Sequence, residues 1–106
     1  MKKISIIICN YNNQKYITKC LRSVYKQSIN KNFFDVIFVD DGSTDKSVSY
    51  AKKFKKYKNF HLIKNRKNLG LIKSCNIAIK KCKTKYLVRV DSDDYVSKNF
   101  LKYFFL

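Results

Sequence analysis

The acidic residues of this 106-residue chain are few and clustered: seven Asp and no Glu stand against 24 Lys and Arg. Asp91, Asp93 and Asp94 fall together in "VDSDDY". Two carboxylates 4 Å apart repel by about 1 kcal/mol in bulk water and about 4 kcal/mol at an effective dielectric of 20, so an offsetting charge is needed. Hard divalent cations take such oxygen ligands, and these acids therefore predict a metal site. The alternative is an exposed loop whose acids are stabilised by helix capping and by the many Lys.

A second acidic cluster, "VDDGSTD", places Asp40 and Asp41 directly after an apolar run. Asp, Gly and Ser are also common turn residues, so turn chemistry alone could account for the pattern. The functional interpretation is that one carboxylate accepts hydrogen bonds from a base or a ribose. Tyr11 offers a ring for stacking against a base, although a lone Tyr can equally be an ordinary packed aromatic.

Apolar runs and helical spacing predict strands that alternate with amphipathic helices along the whole chain, in the order βαβαβαβα. Ser43 or Thr44 is predicted to cap the second helix and Ser97 the last. The four strands are expected at residues 4–10, 33–39, 60–63 and 86–90, and three of the helices at 14–27, 71–82 and 98–106. The second helix is expected to carry Val48, Ala51, Phe54 and Tyr57.

This alternation predicts an α/β fold in which helices cover a mainly parallel sheet, with residues 1–106 forming one domain. Ligands of such sheets bind at the carboxyl ends of the strands. Polar clusters follow three of the predicted strands, at residues 10–13, 40–43 and 91–94. We therefore expect them to meet at one edge.

Composition argues against several classes of protein. No stretch approaches the ~18 apolar residues of a membrane span and no signal peptide is evident, which favours a cytoplasmic protein. The four Cys lack a C-x-x-C pair, so reduced thiols are expected rather than zinc ligands or disulfides. A net charge of +17 is compatible with nucleic-acid binding, but only three of the 24 basic residues are Arg, which disfavours base recognition. No G-x-G-x-x-G follows the first strand, as a dinucleotide-binding domain would require.

Four segments in order, "SIIICNYNNQKYITKCLRSVYKQS", "FFDVIFVDDGSTDKS", "NLGLIKSCNIAI" and "YLVRVDSDDYVSKNFL", resemble the amino-terminal half of a family 2 glycosyltransferase of the nucleotide-sugar-binding A type (GT-A). The resemblance implies that Cys9, Asn10 and Tyr11, together with Asp41, hold the nucleotide base, with Asp40 beside them. It also implies that Asp91 meets the ribose. The residues implied to reach the diphosphate through Mn²⁺ or Mg²⁺ are Asp93 and Asp94, and the resemblance leaves open which of the two is the inner-sphere ligand.

This chain departs from the family pattern at two positions. Cys9 stands where relatives often have Pro or Thr, and backbone atoms can serve there. Cys75 precedes Asn76 where many relatives have Arg, so Lys73 is predicted to supply positive charge to the diphosphate.

The resemblance implies transfer, with inversion, of a sugar from a nucleotide-diphospho-sugar, most commonly a UDP-sugar, to a sugar, lipid-linked or polymer acceptor. Surface polysaccharide or glycolipid synthesis, with peripheral contact at the inner membrane face, is the expected setting. The general base is expected beyond Leu106, so the chain is predicted to be an incomplete domain that holds the donor half-site. The alternative is an inactive fragment or a basic module that binds nucleic acid or anionic membrane surfaces.

Overall fold

The structure, a computed structural model, describes residues 2–105. Its strands are β1 (Ile4–Asn10), β2 (Phe34–Asp40), β3 (Phe60–Lys64) and β4 (Tyr86–Arg89). The α-helices are α1 (Gln14–Tyr25), α2 (Ser47–Ala51) and α3 (Leu71–Lys81). Short 3₁₀ helices lie at Lys31–Phe33, Lys52–Lys56 and Lys102–Phe105.

The four strands form one parallel sheet in the order β3-β2-β1-β4. In its register Asn10 lies opposite Asp40, and Ile7 lies opposite Arg89. The carboxyl ends of the strands therefore point to the same edge, as the sequence predicts, and the parallel α/β fold is confirmed.

Side chains from both faces of the sheet are buried, which explains the continuous apolar run of β1. Ile6 and Ile8 pack on the face covered by α1 and α2, whereas Ile7 packs on the opposite face together with Ala78 of α3. Because successive strand residues point to opposite faces, a strand covered on both sides needs apolar residues throughout.

The second helix begins later than predicted, at Ser47 rather than after Ser43 or Thr44. The Asp40 carboxylate accepts hydrogen bonds from both the backbone N–H and the hydroxyl of Ser43. The Asp45 carboxylate accepts one from the Ser47 N–H at 2.9 Å. The segment between strand and helix is therefore a loop built by side-chain hydrogen bonds.

The predicted last helix is wrong as an α-helix within the described residues, where only the 3₁₀ turn Lys102–Phe105 forms. Residues in the turn after α1 form hydrogen bonds with backbone groups that an α-helix would pair within itself. The Lys98 carbonyl accepts from the Ser28 N–H, and the Leu101 N–H donates to Gln27 Oε1. Leu106 lies outside the described residues.

The predicted apolar face of α3 is only partly buried. Ile72 is 78% exposed and Ile79 46% exposed, whereas the buried residues of the helix are Ser74 and Ala78. Of the larger apolar residues of α3, Ile77 packs partly against the core cluster on this face of the sheet, whereas Leu71, Ile72 and Ile79 are exposed. Tyr16 of α1 is likewise exposed.

Within residues 2–105, every helix falls short of the length and apolar character that a bilayer crossing needs.

Candidate functional site

Hydrogen bonds join the three polar clusters at the carboxyl edge of the sheet. Asn10 Nδ2 donates to Asp40 Oδ1 at 3.0 Å and so links the end of β1 to the end of β2. Asn13 Nδ2 donates to Ser92 Oγ at 2.9 Å and links the start of α1 to the loop after β4. The predicted meeting of these clusters is confirmed.

Asp40 is buried at the base of this edge. It is 1% exposed, and its carboxylate accepts from Asn10 and from the N–H and hydroxyl of Ser43. Asn12, whose φ is +53°, accepts the Thr44 N–H on its side-chain oxygen at 2.8 Å. Asp40 and Asn12 together fix the "DDGSTD" loop against the end of β1.

Asp41 holds a second loop, residues 65–70, in place. Its carboxylate accepts from Asn65 Nδ2 at 3.0 Å, from the Leu69 N–H at 2.8 Å and from the Gly70 N–H at 2.9 Å. Sequence reasoning missed Asn65 as a member of the site. The available signal was its place just after β3, at the same edge of the sheet.

The same hydrogen bonds decide the charge of Asp41. Burial alone would raise the pKa of the Asp41 carboxyl, but hydrogen bonds from Leu69, Asn65 and Gly70 outweigh burial and hold the pKa below its usual range. Asp41 is therefore ionised at neutral pH.

Glycine is required at position 42 of the "DDGSTD" loop, where this loop meets residues 65–70. Gly42 has φ +76°, and a Cβ built there would lie 2.5 Å from the Lys67 carbonyl carbon. A side chain at this position would therefore push the "DDGSTD" loop away from residues 65–70.

A cleft of about 230 Å³ opens between β1 and α3. Cys9, Tyr11 and Asp41, three of the predicted base-binding residues, line it together. Tyr11 is 46% exposed, so part of the residue is open to a ligand. Asp40 does not line the cleft, but it accepts a hydrogen bond from Asn10, which does.

Cys9, which lines the cleft, is in contact with a second thiol. Cys9 Sγ lies 3.6 Å from Cys75 Sγ of α3. Burial, followed by contact with Cys75, raises the pKa of the Cys9 thiol to about 12. Both cysteines are free, and Cys9 is a neutral thiol at physiological pH.

Beyond the cleft lie the acids after β4. Asp91, Asp93 and Asp94 each offer a carboxylate oxygen, and these oxygens lie within 4.8 Å of one another. The Asp94 N–H donates to the Asp91 carbonyl at 3.0 Å, so a tight turn brings the acids together. An exposed set of only oxygen donors fits the ligand preference of Mg²⁺ or Mn²⁺. Their metal-binding role stays a prediction.

Lys73, predicted to serve the diphosphate, and Arg89 differ in placement. Lys73 is exposed on α3 and lies about 200° around the helix axis from Cys75, whose thiol faces Cys9. Arg89, the last residue of β4, was not singled out from the sequence, although it stands only two residues before Asp91. Its Nη2 lies 3.3 Å from Asp91 Oδ1.

A parallel sheet with helices on both faces and a polar cleft at its carboxyl edge defines the class of nucleotide-binding α/β domains. Within that class, the chain belongs to glycosyl transferase family 2, whose family model matches residues 5–105. The resemblance read from the sequence is confirmed.

Curated relatives are similar to nearly the whole chain. A poly(ribitol-phosphate) beta-N-acetylglucosaminyltransferase, TarS, of Staphylococcus aureus is 39% identical over 103 residues, covering 96% of this chain and 18% of the relative. A poly(ribitol-phosphate) beta-glucosyltransferase of Bacillus spizizenii is 41% identical over 101 residues, covering 93% of this chain and 16% of the relative. The chain thus spans less than a fifth of the length of either protein.

Solved structures have the same fold. The crystal structure of S. aureus TarS residues 1–349 in complex with UDP-GlcNAc matches with a TM-score of 0.90 at 39% identity, covering 94% of this chain and 29% of that one. The mannosyltransferase PcManGT of Pyrobaculum calidifontis, in complex with GDP-Man and Mn²⁺, matches with a TM-score of 0.86 at 21% identity, covering 93% of this chain and 30% of that one. The second likeness concerns the fold alone. The predicted GT-A architecture is confirmed.

Proposed function

We propose that this chain is the donor-binding part of a glycosyltransferase that moves a sugar from a nucleotide-diphospho-sugar to an acceptor hydroxyl. The observation that carries the proposal is the common edge of the sheet, where the cleft of Cys9, Tyr11 and Asp41 lies beside the carboxylates of residues 91–94. UDP-sugars are the proposed donors, and TarS in complex with UDP-GlcNAc supports that choice.

The cleft is proposed to hold the nucleotide base. Tyr11 offers its exposed ring for stacking, and the ionised Asp41 can accept a hydrogen bond from a base N–H. Cys9 contributes through backbone atoms. Asp40, buried behind the cleft, acts by holding Asn10 and Ser43 in position.

The acids after β4 are proposed to face the ribose and the diphosphate. Asp91 would accept from the ribose, and Asp93 and Asp94 would hold Mn²⁺ or Mg²⁺. Such an ion, when bound, supplies Lewis-acid stabilisation of the charge that develops on a leaving diphosphate. Lys73 is proposed to add positive charge to the same group, and attack opposite the leaving group would invert the anomeric carbon.

The acceptor is proposed to be a surface polymer, a polysaccharide or a glycolipid. Both relatives described above carry poly(ribitol-phosphate) in their names, and the net charge of +17 suits an anionic polymer. Peripheral contact with the inner membrane face belongs to the same proposal. Flotation with anionic vesicles measures membrane binding. A chain that stays unbound at low salt would contradict the membrane contact and leave the rest of the proposal in place.

The donor proposal is tested by calorimetric titration with UDP, with and without Mn²⁺, on the parent chain and on Asp93→Asn and Asp94→Asn variants. We expect saturable binding that requires Mn²⁺ and is lost in at least one of the variants. Asp35→Asn serves as a matched control, because Asp35 pairs with Ser5 near the amino-terminal ends of the strands, away from the proposed site. Its variant should bind UDP like the parent.

Salt separates this proposal from simple polyanion binding. Contacts of a basic surface with phosphates weaken steeply between 50 and 200 mM salt. Binding that ignores Mn²⁺, tolerates both substitutions and disappears with salt would contradict the donor proposal and support a merely basic surface.

A further inference from the structure

Arg89 lies between the cleft and the carboxylate cluster. In the parallel register Arg89 pairs with Ile7, so its side chain lies on the face of the sheet that α3 covers. Cys9, which lines the cleft, follows Ile7 by two residues on that face. The guanidinium is therefore directed to the side of the sheet where the cleft opens.

The contacts of Arg89 connect these two groups of residues. Its Nη2 is 3.3 Å from Asp91 Oδ1, within the cluster that also contains Asp93 and Asp94. Contact with the Cys75 side chain, followed by the charge of Asp91, raises the pKa of Arg89 above its ordinary value. Cys75 Sγ in turn lies 3.6 Å from the Sγ of Cys9, which lines the cleft.

A nucleoside diphosphate bound as proposed must cross this gap. With its base beside Cys9 and Tyr11 and its diphosphate near Asp93 and Asp94, its phosphates pass between the cleft and the acids. Arg89 is 46% exposed there, and its side chain carries five N–H donors, of which the pair with Asp91 needs only part. Guanidinium donors match phosphate oxygens in a two-point geometry.

We propose that Arg89 is a donor-binding residue that contacts the phosphate groups of the nucleotide, with Asp91 holding its guanidinium in place. This inference rests on the proposed donor-binding function. Lys73 is less well placed for that contact, because Lys73 extends from the side of α3 opposite Cys75.

The test compares UDP with uridine, which has the same base and ribose and no phosphate. Arg89→Gln removes the charge at similar length, and Arg89→Lys keeps the charge without the planar fork. Arg22→Gln, exposed on α1, is the matched control. Affinities are measured by calorimetry in Mn²⁺ at fixed salt, and circular dichroism melts check that each variant folds.

We expect Arg89→Gln to weaken UDP binding by about tenfold to a hundredfold, the loss typical of a hydrogen bond to a charged group, and to leave uridine binding unchanged. Arg89→Lys should recover part of that loss, and Lys73→Gln should cost less than Arg89→Gln. Arg22→Gln should bind both ligands like the parent.

Equal losses for UDP and uridine would overturn the phosphate contact and leave Arg89 as a residue that positions Asp91. Unchanged UDP binding in Arg89→Gln would overturn the inference outright. If the parent chain binds neither ligand, the proposed function fails and the inference fails with it. That result is visible before any variant is made.

Discussion

Asp41 is a buried carboxylate that holds a loop of the proposed site in place. Its hydrogen bonds to Asn65, Leu69 and Gly70 hold the loop that closes one side of the cleft. The same bonds keep the carboxylate ionised although only 4% of the residue is exposed. A residue predicted for base binding is thus also a structural anchor.

Replacing Asp41 by Asn puts an amide N–H₂ where one carboxylate oxygen accepts a backbone N–H. We expect a loss of about 1–3 kcal/mol in the free energy of unfolding at pH 7, the usual cost of an unsatisfied buried donor. Urea denaturation of the parent and the variant measures it. Parent-like stability at pH 7 would contradict the anchoring role.

The pH dependence of that loss has a defined sign. Because the folded-state pKa of Asp41 is lowered from its ordinary value of 3.8, its contribution to stability is present above that value and is lost as pH falls through the lower, folded-state pKa. The difference in stability between the parent and Asp41→Asn should therefore shrink in titrations below about pH 3.8. A difference that stays constant into strong acid would show that ionisation of Asp41 does not matter.

At the scale of elements, the site is built by loops that parallel strands deliver to one edge. The loop after β2 and the loop after β3 touch at Gly42, where the Lys67 backbone approaches too closely for any side chain. The cleft thus depends on the contact between two loops as well as on the strands that carry them.

Gly42→Ala combines a strained positive φ with a clash against backbone atoms, whereas Gly70→Ala at φ +96° meets nothing within 4 Å. Backbone strain alone costs about 1–3 kcal/mol. We expect Gly42→Ala to lower the free energy of unfolding by more than Gly70→Ala and to weaken UDP binding by displacing residues 65–70. Equal stability losses in the two variants, measured in urea, would mean that the close approach adds no cost.

At the scale of the whole molecule, apolar surface remains open on the α3 side. Ile72 and Ile79 lie by helical spacing on the same face of α3 as Cys75, and both are exposed. Leu87 is 47% exposed on β4, at the edge of the sheet within the described residues. We call Ile72, Ile79 and Leu87 the outer patch. Exposed apolar residues beside a sheet edge favour association between chains.

We therefore expect this chain, as a separate protein, to self-associate with increasing concentration despite its net charge of +17. The double variant Ile79→Lys/Leu87→Lys should shift sedimentation toward the monomer with little change in melting temperature. Phe33→Lys, which replaces an exposed aromatic residue outside the outer patch, is the matched control. A parent chain that remains monomeric at all concentrations would contradict this expectation.

Apolar runs in the sequence were sufficient to predict β1 and β2, because a strand buried on both faces must be apolar throughout, and the alternation of strands with helices predicted the parallel sheet. Parallel strands end on the same side of a sheet, so the same prediction placed the polar ends of β1, β2 and β4 at one edge. The last helix failed because Ser28 and Gln27 take backbone groups that local sequence assigns to a helix. Contacts between distant segments are not visible in a local pattern.

The sequence by itself therefore determined the alternation of elements, the family resemblance and the residue types at the ligand edge. Only the tertiary structure decided how those residues are used: Asp40 turned inward, Asp41 bound to the loop after β3, and Arg89 set against Asp91. The physical reason is that residue type and spacing fix which strand end a side chain occupies. Its hydrogen-bond partners depend on which other loops reach that edge once the sheet has formed.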